Sequence, residues 1–224
     1  MRVTGGRLRS RTLVAPRGHG TRPTTDRVRE ALFGILASAG RLAGARVLDL
    51  YAGTGALAIE ALSRGAAHAT LVESARDALS ATRANVAALG LGDAARIVAA
   101  EMGPGPAARR VARAGPFDLV LADPPWPLVD AGEVGRALAD LVGEGALAAA
   151  QEATGPHVDD GGDDLASPGA LVVLEHSSRT APEHLLIRGL HAVQTRRYGD
   201  STLTFYKPAI LAPRRPGEPG SMPE

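Results

Sequence analysis

Cysteine is absent from this sequence, and lysine and aromatic residues are rare. Among 224 residues there is no cysteine, Lys207 is the single lysine, and aromatic side chains make up 3%. Without cysteine there is no disulfide, no thiolate metal site and no cysteine nucleophile. The six histidines lack the i, i+4 spacing of a helical metal site, so we predict no metal centre.

Long apolar runs are missing as well. No run approaches the roughly 20 residues that a membrane helix needs. The basic start MRVTGGRLRSR is not followed by the apolar segment of a secretory signal. The composition, 45% hydrophobic and 22% charged, is typical of a globular protein whose length allows a substantial core. We therefore expect one main domain in the cytoplasm.

The net charge is only +1, but charges of opposite sign are separated along the chain. Residues 1–30 contain eight arginines and only two acids, Asp26 and Glu30. No lysine or arginine occurs between Arg136 and Arg179, a span rich in aspartate and glutamate. A basic arm is typical of a segment that binds a polyanion, but a solvated, disordered N-terminus has the same composition. Charge alone leaves both interpretations open.

Periodic patterns predict an α/β fold. A helix is expected over 25–38, after residues that favour a helix N-cap, with Arg27, Arg29 and Glu30 off its apolar stripe. Apolar runs then alternate with helical patterns. The predicted strands are 46–52, 69–74, 95–101, 117–122 and 170–176, and the predicted helices are 55–64, 76–89, 106–113 and 130–142. This alternation indicates a parallel sheet that is covered by helices on both faces.

The C-terminal part has a different pattern. Segments 190–199 and 201–208 are extended and joined by a short turn, which predicts an antiparallel hairpin at the end of the sheet. We divide the chain into a basic arm and helix (1–40), a main domain (41–208) and a flexible tail (209–224). Within the main domain, 143–168 is predicted to be an acidic loop insertion, with a short helix at 145–152 as one possibility.

A glycine turn follows the first predicted strand. Gly53 and Gly55 permit a tight turn and close approach of a ligand to the backbone, and the helix behind them offers free N–H groups. Glu73 ends the second strand, where its carboxylate can accept hydrogen bonds from ribose hydroxyls. Asp49 precedes the turn by four residues and can meet a cationic amino group. The pattern predicts a nucleoside-cofactor site, and Tyr51 either lines it or covers the strand end.

A rigid acidic segment, Asp-Pro-Pro-Trp at residues 123–126, ends the fourth strand. We call it the elbow. The Asp123 side chain and the Pro124 carbonyl can both accept hydrogen bonds from the exocyclic amine of a planar base. Trp126 can stack on that base, which is worth about 1–3 kcal/mol. Together with Pro125, these residues are the candidate catalytic set.

Taken together, these motifs resemble a known family. The glycine turn with an acid after strand two resembles class I S-adenosylmethionine-dependent methyltransferases, and the elbow resembles the [DN]-P-P-[FYW] motif of those that methylate planar amines. RPTTDRVRE (22–30), DLYAGTGALAIEALSRGA (49–66) and RRYGDSTLTFY (196–206) are similar to the RsmD family of 16S rRNA guanine-N2 methyltransferases. The resemblance covers about residues 1–208. It implies a Rossmann-like fold with a mostly parallel seven-stranded sheet.

The resemblance also implies roles for residues at the matching positions. S-adenosylmethionine is the expected cofactor, and its methionine part would lie around Gly53, Thr54 and Gly55. Glu101 would contact the adenine amine, although its side chain is longer than the Asp or Asn often found there. The predicted cofactor set is Asp49, Tyr51, Ala52, Gly53, Thr54, Gly55, Glu73, Ser74, Glu101 and Met102.

The implied reaction is direct methyl transfer to guanine N2 of 16S rRNA or of a small ribosomal subunit particle, by a monomeric enzyme. The predicted RNA-binding residues are Arg7, Arg9, Arg11, Arg22, Thr24, Arg27 and Arg29. Three alternatives remain. A DNA adenine-N6 methyltransferase shares the elbow, a nicotinamide dehydrogenase shares the glycine pattern, and a non-enzymatic RNA-binding or ribosome-assembly factor would need neither Glu73 nor Asp123.

Overall fold

A sheet of seven strands forms the centre of the protein, in a computed structural model that describes residues 1–15, 25–149 and 165–209. The strands are β1 (Arg46–Leu50), β2 (His68–Glu73), β3 (Ala95–Ala99), β4 (Leu119–Ala122), β5 (Leu171–Ser177), β6 (Leu190–Tyr198) and β7 (Ser201–Pro208). Their order across the sheet is β3-β2-β1-β4-β5-β7-β6.

The first five strands are parallel, whereas β7 pairs antiparallel with both β5 and β6. This confirms the predicted seven-stranded, mostly parallel sheet with a C-terminal hairpin. The strand order changes direction between β1 and β4, and ligands bind at such a switch point, beyond the carboxyl ends of the strands.

Helices cover both faces of the sheet. They are α1 (Asp26–Ser38), α2 (Ala56–Ser63), α3 (Arg76–Ala88), α4 (Pro106–Ala112), α5 (Trp126–Asp130) and α6 (Glu133–Gly143). Apolar residues of α1, α2 and α3 form one buried cluster with one face of the sheet, and those of α4, α5 and α6 form a second cluster with the other face. Within the described ranges, no helix is long and apolar enough to cross a bilayer.

Two local predictions between strands β4 and β5 differ from the structure. The helix predicted over 130–142 is α6, which begins three residues later, because Gly132 with its left-handed φ of 70° separates it from α5. The described part of the suggested helix at 145–152 is a turn followed by an isolated bridge between Leu147 and Phe117. The rest of that segment lies outside the described residues, as does nearly all of the predicted tail.

The first fifteen residues form a folded unit, which we call the N-terminal lobe. Arg2 and Thr12 form an antiparallel bridge, and a short 3₁₀ helix spans Gly6–Leu8. Val3 and Leu13 are buried in the same apolar cluster as α1 and α2. Residues 1–15 are therefore packed against the body of the protein, and the alternative of a solvated, disordered start does not apply to them.

Candidate active site

A cavity of about 670 Å³ lies at the carboxyl ends of the parallel strands. This volume is within the range of about 300–1,000 Å³ that is usual for small-molecule sites. The predicted cofactor residues line it, with one exception, and so does the whole elbow. The exception is Gly55, which is buried under the turn and packs there.

The turn after β1 has left-handed backbone at three of five residues. Gly53 and Gly55 have φ of 57° and 79°, and Tyr51 has φ of 61° without being glycine. A β-carbon on Gly55 would lie 3.0 Å from Leu71 Cδ2, so both backbone angle and packing favour glycine there. A bulky residue with left-handed backbone angles, such as Tyr51, is uncommon and often marks a functional segment.

Side chains of α3 hold this turn in place. Thr82 Oγ1 donates to the Gly53 carbonyl over 2.6 Å, and Asn85 Nδ2 donates to the Thr54 carbonyl over 2.9 Å. Asn85 also bonds both the N–H and the carbonyl of Val14. The glycine turn and the end of the N-terminal lobe therefore share one buried anchor.

Asp49 lines the cavity as a buried carboxylate, with 1% of its surface exposed. Its Oδ2 accepts a hydrogen bond from Ala58 N at 3.0 Å, whereas Oδ1 has no hydrogen-bond partner. The pKa of Asp49 is raised to about 8, mainly by burial and also by the charges of Asp123 and Glu73, while the hydrogen bond from Ala58 acts in the opposite direction. Oδ1 can therefore accept a hydrogen bond from a ligand, and a positively charged donor would stabilise the ionised carboxylate best.

Glu73 is fixed by the backbone around it. Its Oε2 accepts from Gly53 N at 2.8 Å, and its Oε1 accepts from Ser74 N and Ala75 N, both at 2.7 Å. A carboxylate has about four lone-pair sites, so three backbone bonds leave capacity for a ligand hydroxyl. The carboxylate is thus held in place at the end of β2 on the cavity wall.

The elbow lies on the cavity wall together with Gly53. Asp123 directly follows β4, Pro124 is buried, and Trp126 is partly exposed and begins α5. Proline is well suited to the start of a helix because its fixed φ matches the first turn. The two predicted sites therefore meet in one cavity, and Trp126 does not point into the core.

The segment directly after β3 contributes the remaining predicted cofactor residues. Glu101 is exposed and Met102 is buried, and both line the cavity. On the other side of the site, burial and the charge of Glu133 raise the pKa of Tyr51 to about 12. The Tyr51 hydroxyl is therefore neutral at physiological pH.

The predicted RNA-binding residues fall into three groups. Arg7, Arg9, Arg11 and Arg27 are exposed. Residues 22 and 24 lie outside the described part of the chain. Arg29 differs from both groups, because only 1% of it is exposed.

The prediction that Arg29 lies off the apolar stripe was wrong. Its Nη2 donates to Asp26 Oδ1 at 3.0 Å and to the carbonyl of Arg2, and its Nε lies 3.8 Å from Glu60 Oε2. Glu60 is fully buried and also accepts two hydrogen bonds from Thr4. Arg29 is thus buried with a counter-charge and helps to anchor the N-terminal lobe, and it also borders the cavity.

The sequence analysis missed several residues on the cavity wall, among them Thr25, Glu175 and Ser201. Glu175 lies near the end of β5, and an acid near the end of a parallel strand is the signal that identified Glu73. In the described ranges, no group of three or more histidine, aspartate or glutamate side chains could hold a metal ion.

The sheet order, the glycine turn and the elbow together define a Rossmann-like methyltransferase fold. The chain belongs to the family described as Conserved hypothetical protein 95, whose model matches residues 1–207. This match includes the N-terminal lobe and the C-terminal hairpin, and the predicted relationship to the RsmD family is confirmed.

Two curated relatives and one solved structure show which proteins this chain is similar to. The chain is 44% identical over 127 residues to "Ribosomal RNA small subunit methyltransferase D" of Escherichia coli (strain K12), covering 56% of this chain and 60% of the relative. It is 43% identical over 91 residues to "Putative rRNA methyltransferase YlbH" of Bacillus subtilis, covering 41% and 48%. The solved structure "Putative methyltransferase yhhF" from Escherichia coli matches with a TM-score of 0.71 at 31% identity, covering 94% of this chain and 99% of that one. The sequence matches thus span three fifths or less of these two curated relatives.

Proposed function

We propose that this protein transfers a methyl group from S-adenosylmethionine to the exocyclic N2 of a guanine in 16S rRNA. The observation that carries the proposal is that the glycine turn with Asp49 and Glu73 shares one cavity with the elbow. A methyl donor and a flat amine could therefore lie side by side. The names of the curated relatives support ribosomal RNA as the substrate.

Residues at one end of the cavity fit the cofactor. Asp49 Oδ1, a buried oxygen without a hydrogen-bond partner, suits the ammonium of a methionine moiety. The remaining acceptor capacity of Glu73 suits ribose hydroxyls, and Glu101 suits the adenine amine. When bound, S-adenosylmethionine supplies a methyl group on a positively charged sulfur, ready for attack by a nucleophile.

Residues at the other end fit the base. The Asp123 carboxylate and the Pro124 carbonyl can accept the two N2–H groups of guanine and direct the nitrogen lone pair towards the methyl carbon. Trp126 can stack on the flipped base. As the new C–N bond forms and the C–S bond breaks, N2 becomes acidic, and its proton goes to Asp123 or to water. Alignment of the reactants provides a large part of the rate enhancement.

The N-terminal lobe supplies RNA affinity in this proposal. Arg7, Arg9 and Arg11 are exposed on it. The lobe also reaches the cavity, because Met1 lines it and Met1 Sδ lies 3.8 Å from Thr54 Oγ1. Leu8 N, by contrast, donates to Ser63 Oγ at the far end of α2, so phosphates that contact these arginines would belong to RNA that flanks the target base.

The test measures tritium transfer from labelled S-adenosylmethionine to small-subunit particles that lack their native modification, with the labelled base identified by digestion. We expect label on guanine N2. Asp123→Ala should lower kcat by about 100-fold or more, a typical loss for a group that acts in the transition state, while calorimetry finds unchanged cofactor affinity.

Asp130→Ala is the matched control, because Asp130 is exposed at the end of α5, a few residues beyond the elbow. It should retain full activity. Label on an adenine would contradict guanine as the target, and transfer to double-stranded DNA in place of the particles would support the DNA adenine-N6 alternative. Loss of cofactor binding in Asp123→Ala, as large as the loss of turnover, would show that Asp123 is a cofactor contact.

A further inference from the structure

Glu175 is a buried acid on the cavity wall that the proposed reaction does not use, whereas Asp77 and Glu133, also on that wall, are exposed. It lies near the end of β5, lines the cavity and has 6% of its surface exposed. Burial of a carboxylate is costly unless it accepts hydrogen bonds or faces a positive charge. Glu175 has such an interaction within the protein, so its place beside the elbow, and not its burial, suggests a role in the site.

The strand register brings Glu175 beside Asp123. Ala122, the last residue of β4, pairs with Leu174 of β5, so the next residues along the chain are Asp123, directly after β4, and Glu175, within β5. Neighbouring strands lie about 4.8 Å apart. Leu121 and Val173, two residues earlier on each strand, both face the cluster formed with α1 and α2, and alternation directs Glu175 to that same face.

Guanine and adenine differ at the atom that would lie next to the elbow. Both bases carry an exocyclic amine, so the acceptors of Asp123 and Pro124 do not distinguish them. In guanine the amine is adjacent to N1–H, a donor, whereas N1 of adenine is an acceptor. An ionised carboxylate only accepts hydrogen bonds. A second carboxylate beside the first would thus attract the guanine edge and repel the adenine edge.

We propose that Glu175 is the specificity-determining residue of this site and accepts N1–H of the target guanine, while Asp123 accepts N2–H. The inference rests on the proposed function and names the base that the elbow alone leaves open. It does not require Glu175 to be free of other contacts, because a carboxylate has about four lone-pair sites. Two acceptors on adjacent strands match two adjacent donors on one edge of the base.

The sharpest probe is 2-aminopurine, which keeps the N2 amine but has an acceptor at N1. Once the methylated guanine has been located, a 16S rRNA carrying 2-aminopurine at that position can be prepared by ligation. Sites that hydrogen-bond a substrate group reject the analogue lacking it by large factors. We expect the wild-type kcat/KM for 2-aminopurine to be at least about 100-fold below that for guanine.

Glu175→Gln should reduce this preference to less than about tenfold, because a glutamine amide can donate to N1 of 2-aminopurine as well as accept from N1–H. Glu175→Ala should lower kcat/KM for guanine and raise that for 2-aminopurine, because the repulsion between the carboxylate and the N1 acceptor is removed. Neither variant should alter cofactor affinity by calorimetry. Glu183→Gln, at an exposed position beyond the end of β5, is the matched control and should behave as wild type.

Three outcomes would overturn the inference. Equal use of guanine and 2-aminopurine by the wild-type protein would show that N1–H is not recognised, and this result needs no variant to fold. An unchanged preference in Glu175→Gln, or a loss of cofactor affinity, would assign Glu175 another role. A wild-type protein that methylates no guanine would overturn the proposed function, and this inference with it.

Discussion

The side chain of Asp49 has an unusually high pKa for a carboxyl group. Its pKa is raised from the ordinary 3.8 to about 8, mainly by burial. In the free protein the group is therefore neutral below about pH 8, whereas a cationic ligand favours the charged form. We expect binding of S-adenosylmethionine to release a proton below pH 8, and Kd to fall as pH rises towards 8 and then to level off. Calorimetry in buffers of different ionisation enthalpy measures both effects.

The same residue should make stability depend on pH. Since the folded pKa exceeds the unfolded one, the stability contribution of Asp49 is complete below about pH 3.8 and is lost as pH rises to about 8. Within that window, each pH unit lowers the free energy of unfolding by about 1.4 kcal/mol. Asp49→Asn lacks this loss, so its Tm relative to wild type should increase between pH 5 and 8, while cofactor affinity falls at least about tenfold. Asp93→Asn, at an exposed position, is the control, and a constant Tm difference across the range would contradict the assignment.

Residues in local motifs were predictable, and residues defined by long-range contacts were not. Asp123 and Trp126 follow directly from the elbow, whose proline geometry is encoded within four residues. Glu175 required the pairing of β4 with β5, which the sequence does not specify residue by residue. Arg29 follows the buried Val28 on α1, and its counter-charge Glu60 lies on another helix. No pattern within α1 could reveal that partnership.

At the scale of elements, continuous apolar runs gave most strand positions to within a few residues, because buried parallel strands tolerate few other residues. The N-terminal lobe could not be recognised in this way. Its two core residues, Val3 and Leu13, lie among exposed arginines. The segment shows neither the period of a helix nor that of a strand. Its folded state depends instead on groups that other elements provide.

Glu60 is the group on α2 that holds the lobe. Its carboxylate accepts from Thr4 N at 2.8 Å, Thr4 Oγ1 at 2.7 Å and Arg64 Nε at 2.8 Å, and it faces the buried Arg29. Removal of one partner from a buried charge pair typically costs about 3–5 kcal/mol. Glu60→Ala should therefore lower Tm and increase hydrogen exchange in residues 1–15.

Glu30→Ala, which removes an exposed acid from α1, is the control and should change neither quantity. If Glu60→Ala left exchange in the lobe unchanged, apolar packing of Val3 and Leu13 alone would be sufficient to hold it.

Across the whole molecule, carboxyl groups predominate on the cavity wall, which Arg29 also borders, and exposed arginines lie on the lobe. Asp49, Glu73, Glu101, Asp123 and Glu175 all line the cavity. This lining suits a cationic cofactor and disfavours phosphate. A nucleic acid would therefore be held outside the cavity by its backbone, with only the flipped base entering.

This separation predicts how RNA binding responds to salt. Each phosphate contact contributes about 0.7–0.9 to the slope of log affinity against log salt concentration. The combined variant Arg7→Ala, Arg9→Ala, Arg11→Ala should reduce the slope for 16S rRNA by about two to three and weaken binding. Cofactor affinity should stay unchanged, because all three side chains are exposed and Val3 and Leu13 stay in the core.

The control is a second triple variant, in which Arg109, Arg110 and Arg113 are replaced by alanine. These residues are also exposed and lie on or directly after α4, on the other face of the sheet. The control removes the same charge and should leave the slope nearly unchanged. Equal effects of the two triple variants, measured by filter binding from 50 to 300 mM salt, would mean that overall charge and not the lobe determines RNA affinity.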